Sequence, residues 1–258
     1  MSQERWRLID TGSLTGAENM AIDEALLACF DPQVSLPVLR LYGWQPPAFS
    51  YGKFQNPGET VSLEKCRAAG VQVVQRITGG GLLYHGQELT YSLVCPAGFV
   101  AAAPGVKNAF FYLTSFLVDF YRELGLEARY AADHYCGTKQ LGGRAALCFA
   151  GTESCDILIK GRKIGGNAQR RLKNVIFQHG SIPLLPLTGE SQQYLLAPAP
   201  EIITATTSLA GEGVAVEREA LASILAASFS RAFGTVLAED SLSTAEQAAA
   251  REYMQKFA

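Results

Sequence analysis

The chain has 258 residues, 48% of them hydrophobic and 18% charged, an ordinary globular composition with ample material for a substantial core. Its 22 basic and 24 acidic residues leave a net charge of -2, so there is no global pull toward nucleic acid or an anionic membrane, and electrostatic recognition has to come from a local patch. The start, MSQERWRLID, carries charges at once and no apolar segment, so no secretory leader and a cytoplasmic protein are expected.

No apolar run approaches the ~18 residues of a membrane span. The greasiest stretch, Leu93 to Val106, is interrupted by Pro96, Gly98, Pro104 and Gly105 and reads as a loop. The six cysteines (Cys29, Cys66, Cys95, Cys136, Cys148, Cys155) form no C-x-x-C pair and have no histidines at ligand spacing. They are expected as reduced thiols, with no disulfide framework and no metal site.

Ala17 to Phe30 has helical spacing, with an apolar face that should dock on a sheet. Leu36 to Tyr42 and Ala48 to Tyr51 read as strands joined by a turn at Gly43, Pro46 and Pro47. Ser62 to Ala69 is a short helix ending at Gly70, and Val71 to Ile77 a strand running into Gly79, Gly80 and Gly81. Leu82 to His85 and Leu89 to Cys95 form a second strand pair. Asn108 to Leu124 is a long amphipathic helix stopped by Gly125.

Cys155 to Lys160 and Lys163 to Gln169 read as a hairpin turned at Gly161, where glycine tolerates a positive φ. Val175 to Leu184 is a further strand, and Ala215 to Phe233 and Ser243 to Phe257 are helices, the first stopped by Gly234. Hairpins outnumber crossovers. The expected class is α+β, with a mixed, mainly antiparallel central sheet flanked by helices. With no repeat or linker to divide it, the chain reads as one domain over 1–258 whose portion from about 215 to 258 is helical.

Cys148 precedes Lys163 by fifteen positions, and a thiol nucleophile with a lysine that manages charge and protons is a minimum kit for acyl transfer. The local sequence also allows a buried, inert Cys148, and Cys136 in the same loop has nearly equal standing. Lys163 has a second reading too, as a solvated hairpin lysine. His85 and His179, each at a strand edge beside a glycine, are site candidates or satisfied structural histidines, and His134 is undetermined. Six of the 22 basic residues (Lys160, Arg162, Lys163, Arg170, Arg171, Lys173) fall within fourteen positions, a docking patch for an acidic protein or a solvated hairpin face.

Five ordered motifs carry a resemblance: NMAIDE (Asn19 to Glu24), LRLYGWQPP (Leu39 to Pro47), RITGGGLLYH (Arg76 to His85), GRKIGGNAQ (Gly161 to Gln169) and QHGSI (Gln178 to Ile182). Together they resemble the lipoate-protein ligase and octanoyltransferase superfamily, related in fold to biotin-protein ligases. A cysteine in a C-F pair ahead of G-R-K is similar to the LipM-type octanoyltransferases, whereas in the LipB type the lysine comes first. G-G-N at 165 to 167 and the second thiol, Cys136, depart from the common pattern.

The resemblance implies transfer of octanoyl from the phosphopantetheine of acyl carrier protein to a lysine of a lipoyl domain, in the glycine-cleavage H protein or a dehydrogenase E2 subunit. It implies no ATP and no bound cofactor. Cys148 would carry the acyl group and Lys163 would serve its carbonyl. Arg76, Gly79, Gly80, Gly81 and His85, with Gly165, Gly166, Asn167, Ala168 and His179, would contact substrate. Arg162, Arg170, Arg171 and Lys173 would dock the partner. The alternatives within the superfamily are an ATP-dependent lipoate ligase and an amidotransferase between lipoyl domains; a non-catalytic carrier-protein binder is the alternative from another class.

Overall fold

The computed structural model describes residues 4–135, 152–186, 189–197 and 199–257. Cys136 and Cys148 lie outside the described residues. Its main sheet has six strands: β1 (Arg5–Leu14), β2 (Val38–Trp44), β6 (Glu88–Pro96), β10 (Gly166–Arg171), β11 (Val175–Pro183) and β13 (Val236–Glu239), in the order β10-β11-β6-β2-β1-β13. The first three neighbouring pairs in that order are antiparallel and the last two parallel. The sheet is mixed and mainly antiparallel, as expected.

A second sheet orders β4 (Gln72–Gln75), β3 (Ala48–Tyr51) and β5 (Leu83–His85). The third orders β12 (Thr206–Thr207), β9 (Arg162–Ile164), β8 (Ile157–Ile159) and β7 (Ala128–Tyr130).

Strand alternation decides which residues face which helix. Leu39 and Leu41 of β2, with Leu89, Tyr91 and Leu93 of β6, pack on one side against α3 (Val106–Glu123) and α6 (Arg218–Phe233), where Phe116, Phe120 and Phe229 fill the core. On the opposite side Ile9, Val38, Val94 and Phe177 meet α1 (Gly16–Cys29) and α7 (Thr244–Met254).

α1 starts at a capping box: Thr15 Oγ1 accepts from the Glu18 amide at 3.3 Å, and Glu18 Oε2 accepts from the Thr15 amide at 2.9 Å. α2 (Leu63–Ala68) is capped by Ser62, and two short helices, α4 (Ala131–Tyr135) and α5 (Glu201–Ala205), complete the set. Among the described residues no helix is long and apolar enough to cross a membrane.

Two expected pairings and one expected strand are corrected. β2 and β3 are not a hairpin: β2 pairs with β1 and β6, β3 with β4 and β5. β5 and β6 also part, because the chain changes sheets at Gly86 and Gln87. Lys163 to Gln169 is two strands, broken at Gly165, whose φ is +74° and whose added Cβ would stand 1.9 Å from the Ser181 carbonyl oxygen. The β8–β9 turn itself is as expected, with positive φ at both Lys160 and Gly161. The stretch from Leu93 is not loop throughout, since its first residues finish β6.

Candidate functional site

The glycine run between β4 and β5 is shaped by a buried arginine. The Arg76 guanidinium donates to the carbonyls of Gly79 (2.8 Å), Gly81 (2.7 Å) and Ser50 (3.0 Å), bending the loop around itself. Gly80 takes φ +96°, and Gly52 approaches so closely that a Cβ there would stand 2.2 Å from the Gly80 oxygen. Both positions therefore demand glycine. Arg76 is the loop's scaffold, and its hydrogen-bonding capacity is largely used by the backbone.

This loop, β5, and the adjoining ends of β10 and β11 line a narrow, partly open slot of about 50 Å³. Met20, Tyr42, Trp44 and Leu83 supply apolar wall. Ser50, His85 and Thr90 line one polar side, and Asn167, His179 and Ser181 another. Of the expected substrate contacts, the slot brings together Arg76, Gly80, His85, Gly166, Asn167, Ala168 and His179. Gly79 and Gly81 act through Arg76, and Gly165 abuts Ser181.

Both histidines are buried and hydrogen-bonded. His179 Nε2 lies 2.8 Å from Thr78 Oγ1 at the loop's start, and its Nδ1 is 3.5 Å from Asp23 Oδ2. Burial pushes its pKa below the ordinary 6.5 despite the pull of Asp23, so His179 is neutral at pH 7. Asp23 belongs to NMAIDE on α1 and is fully enclosed. Arg40 Nη1 (2.8 Å), Ser92 Oγ (2.8 Å) and Tyr42 Oη (2.9 Å) all donate to it. Burial would raise its pKa, but the contact with His179 and the charge of Arg40 outweigh that and hold it below the usual range.

His85 stacks on Trp44 with ring centroids 3.8 Å apart. Its Nε2 lies 2.7 Å from Ser50 Oγ and its Nδ1 2.9 Å from Glu88 Oε1. Across the slot, Asn167 Oδ1 accepts from Tyr91 Oη at 2.8 Å, over a Gly180 whose Cβ would sit 2.0 Å from that oxygen. Gly180 leaves room for the pair.

Lys163 is not the solvated lysine that one reading of its hairpin allowed. It is buried on β9, with Nζ 2.8 Å from Asp156 Oδ2. It precedes slot-lining Gly166 by three residues. The basic cluster divides as well: Lys160 and Arg162 pair with Glu212, while Arg170 lines an open groove along β4 with Lys53 and Arg67.

Sequence reasoning missed Asp23, Tyr42, Trp44, Ser50, Thr90 and Ser181 as site residues. Asp23, Tyr42 and Trp44 lay inside quoted motifs, and Ser181 inside QHGSI, so the signal was present; Ser50 and Thr90 had none. Among the four described cysteines, burial pushes the thiols of Cys29, Cys66, Cys95 and Cys155 up, away from the nucleophilic thiolate.

Residues 15–232 match the lipoyl protein ligase A/B catalytic domain. The chain is 34% identical to octanoyltransferase LipM of Kyrpidia tusciae, covering 98% of this chain and 96% of that one. It is 37% identical to octanoyltransferase LipM of Bacillus subtilis over 71% of this chain and 67% of that one. A crystal structure of lipoate-protein ligase A bound with ATP superposes with a TM-score of 0.81 at 23% identity, covering 99% and 95% of the two chains. A bi-partite lipoate protein ligase from Thermoplasma acidophilum gives 0.77 at 22%, covering 99% and 93%. At such identities the structural likeness shows the fold alone.

Proposed function

The chain belongs to the lipoyl protein ligase A/B catalytic domain family, and from that membership we propose that it is a protein N-octanoyltransferase of lipoate biosynthesis. The observation that carries this reading is the end-to-end similarity to an octanoyltransferase, joined to a slot of matching chemistry. A straight acyl chain against Met20, Tyr42, Trp44 and Leu83 gains about 0.8 kcal/mol per methylene buried. An eight-carbon acid draws most of its affinity from that term.

In the proposed reaction the Cys148 thiolate attacks the thioester of octanoyl acyl carrier protein, and the pantetheine thiol leaves. The amine of a lipoyl-domain lysine then attacks the Cys148 thioester, giving the amide and restoring the thiol. Thioester to thioester is near neutral and thioester to amide is downhill, so neither ATP nor a bound cofactor is required. The raised thiols of the four described cysteines leave Cys136 and Cys148 as candidates, and the C-F context ahead of Lys163 favours Cys148. Lys163 is read as the cation that serves the acyl carbonyl. Arg170, at the end of β10, with Arg171, Lys173 and the groove cations Lys53 and Arg67, is read as the surface for an acidic carrier or acceptor protein.

The test is intact mass after incubation with octanoyl carrier protein in the absence of ATP. One octanoyl unit should appear, map to Cys148 and be released by hydroxylamine. Label on Cys136, or acylation that survives Cys148→Ala, overturns the assignment; a strict ATP requirement overturns the reaction class.

A further inference from the structure

The polar side of the slot carries a hydrogen-bond chain from Trp44 through Thr90, Glu88 and His85 to Ser50. Trp44 Nε1 can only donate, and it gives its proton to Thr90 Oγ1 at 2.9 Å. The Thr90 hydroxyl proton therefore goes onward to Glu88 Oε1, at 2.5 Å. Glu88 as a carboxylate only accepts, so the His85 nitrogen 2.9 Å from it, Nδ1, is the protonated one. In the neutral imidazole that leaves Nε2 with a lone pair facing Ser50 Oγ at 2.7 Å, and the serine proton points at it. Arg76 Nη1 lies 3.2 Å from the same serine oxygen and can only donate to it.

A hydroxyl on an imidazole lone pair, an imidazole held in one tautomer by a carboxylate, and a cation at the hydroxyl oxygen are the parts of an activated serine nucleophile. The covalent steps proposed at Cys148 use none of them for bond making or proton transfer. Ser50, on β3, and His85, on the neighbouring β5, both line the slot, and the Trp44 ring stacked on His85 fixes its plane. Glu88 and Thr90 act through His85 as positioning residues.

We propose that Ser50, served by His85 and Glu88, gives this protein a hydrolytic activity on medium-chain acyl esters and thioesters lodged in the slot. The inference rests on reading the slot as the acyl site. Ser50 Oγ bonds to the acyl carbonyl carbon as its proton passes to His85 Nε2 and the carbonyl electron pair moves onto its oxygen, while Arg76 Nη1 remains a donor to Ser50. The carbon–sulfur or carbon–oxygen bond to the leaving group then breaks, and His85 hands that group the proton. Water attacks acyl-Ser50 with its proton going to His85, and Ser50 departs taking it, so the products are the free fatty acid and the thiol or alcohol.

The experiment uses the full chain carrying Cys148→Ala, which removes the proposed transfer thiol. Two readouts are taken: release of nitrophenolate from p-nitrophenyl octanoate, and covalent labelling by a fluorophosphonate mapped by digestion. Label on Ser50 is expected, with hydrolysis falling by ~10²–10⁴ in Ser50→Ala and His85→Ala, the range for losing a nucleophile or its base. Hydrolysis as fast in Ser50→Ala as in its parent, or no label on Ser50, overturns the proposal. If Ser50→Ala does not fold, the labelling decides alone, because it needs only the unsubstituted serine. A fluorophosphonate needs no thioester and no carrier protein, so its failure is separable from failure of the octanoyl-Cys148 mass.

Discussion

Lys163 Nζ and Asp156 Oδ2 meet at 2.8 Å beside the β8–β9 hairpin, in a pocket nearly closed to water. The same carboxylate oxygen accepts from the Glu153 amide at 2.8 Å, which ties the segment entering β8 to the lysine. A buried ion pair adds little net stability, but removing one partner leaves the other charge uncompensated. One reading of the sequence made Lys163 a solvated hairpin lysine, whose loss would cost little; its enclosure reverses that expectation.

Lys163→Ala should therefore cost about 3–5 kcal/mol in unfolding free energy, besides slowing octanoyl transfer by ~10²–10⁴. Adding Asp156→Asn should return much of the stability and none of the rate, a double-mutant cycle read by thermal unfolding beside single-turnover transfer. Full transfer in Lys163→Ala would end its proposed chemical role.

The elements legible in the sequence were those whose pattern is local. α3 announces itself through Leu113, Phe116, Leu117 and Phe120 at helical spacing, and β11 through an apolar run. β1 stayed hidden because Arg5, Arg7 and Asp10 interrupt it and its register shifts between Asp10 and Ser13, which spoils alternation. Sheet membership was illegible: the turns after β2 and β5 have hairpin length, yet their strands find partners distant in sequence. In the site, glycines and histidines marked the loop and two walls, while Ser50, an ordinary strand serine, acquires its neighbours only when β3, β5 and the start of β6 converge.

Arg40 and Asp23 form a second enclosed pair, with side-chain exposures of 0% and 1%. Besides Asp23, Arg40 bonds Asn19 Oδ1 (2.7 Å) and the Asn19 carbonyl (3.1 Å), so it anchors α1 to β2. Asp23→Asn keeps the shape but strands the guanidinium, and a loss of about 3–5 kcal/mol is expected. Denaturant unfolding measures it; a midpoint equal to the parent's would mean the pair is not the anchor.

Gly180 sits where a methyl group would collide with both Asn167 Oδ1 (2.0 Å) and the Tyr91 ring (2.6 Å). Gly180→Ala should push Asn167 toward the slot, cost roughly 1–3 kcal/mol as overpacking does, and weaken loading from a small octanoyl thioester. Unchanged stability with unchanged loading would show that the wall yields more than its contacts suggest.

Charge reversal tests the docking surface. Arg170 lines the groove with Lys53 and Arg67, and its Nη1 reaches the Ile77 carbonyl only at 3.4 Å, so its charge is not neutralised by that contact. Reversing Arg170 and Arg171 to Glu should raise the apparent KM for octanoyl carrier protein or lipoyl domain and flatten its salt dependence. A small octanoyl thioester should be handled as before, and equal losses on both substrates would move these residues out of the docking role.

His179 gives the acid side of the stability curve a predictable sign. Its folded pKa lies below the ordinary 6.5 because burial penalises the imidazolium, so below about pH 6.5 the unfolded chain binds a proton that the folded one refuses. Stability is full above that pH and is lost as pH falls toward the depressed folded value. Asp23 acts in the same direction lower down, since its depressed pKa contributes stability above the ordinary carboxylate value of 3.8, lost as pH falls through the folded one. Thermal midpoints measured from pH 8 to pH 5 should fall with acidity, and His179→Gln, which keeps a hydrogen-bonding group facing Thr78 without titrating, should flatten the slope between pH 7 and pH 5. An identical slope in the variant would show that His179 does not set the acid sensitivity of the fold.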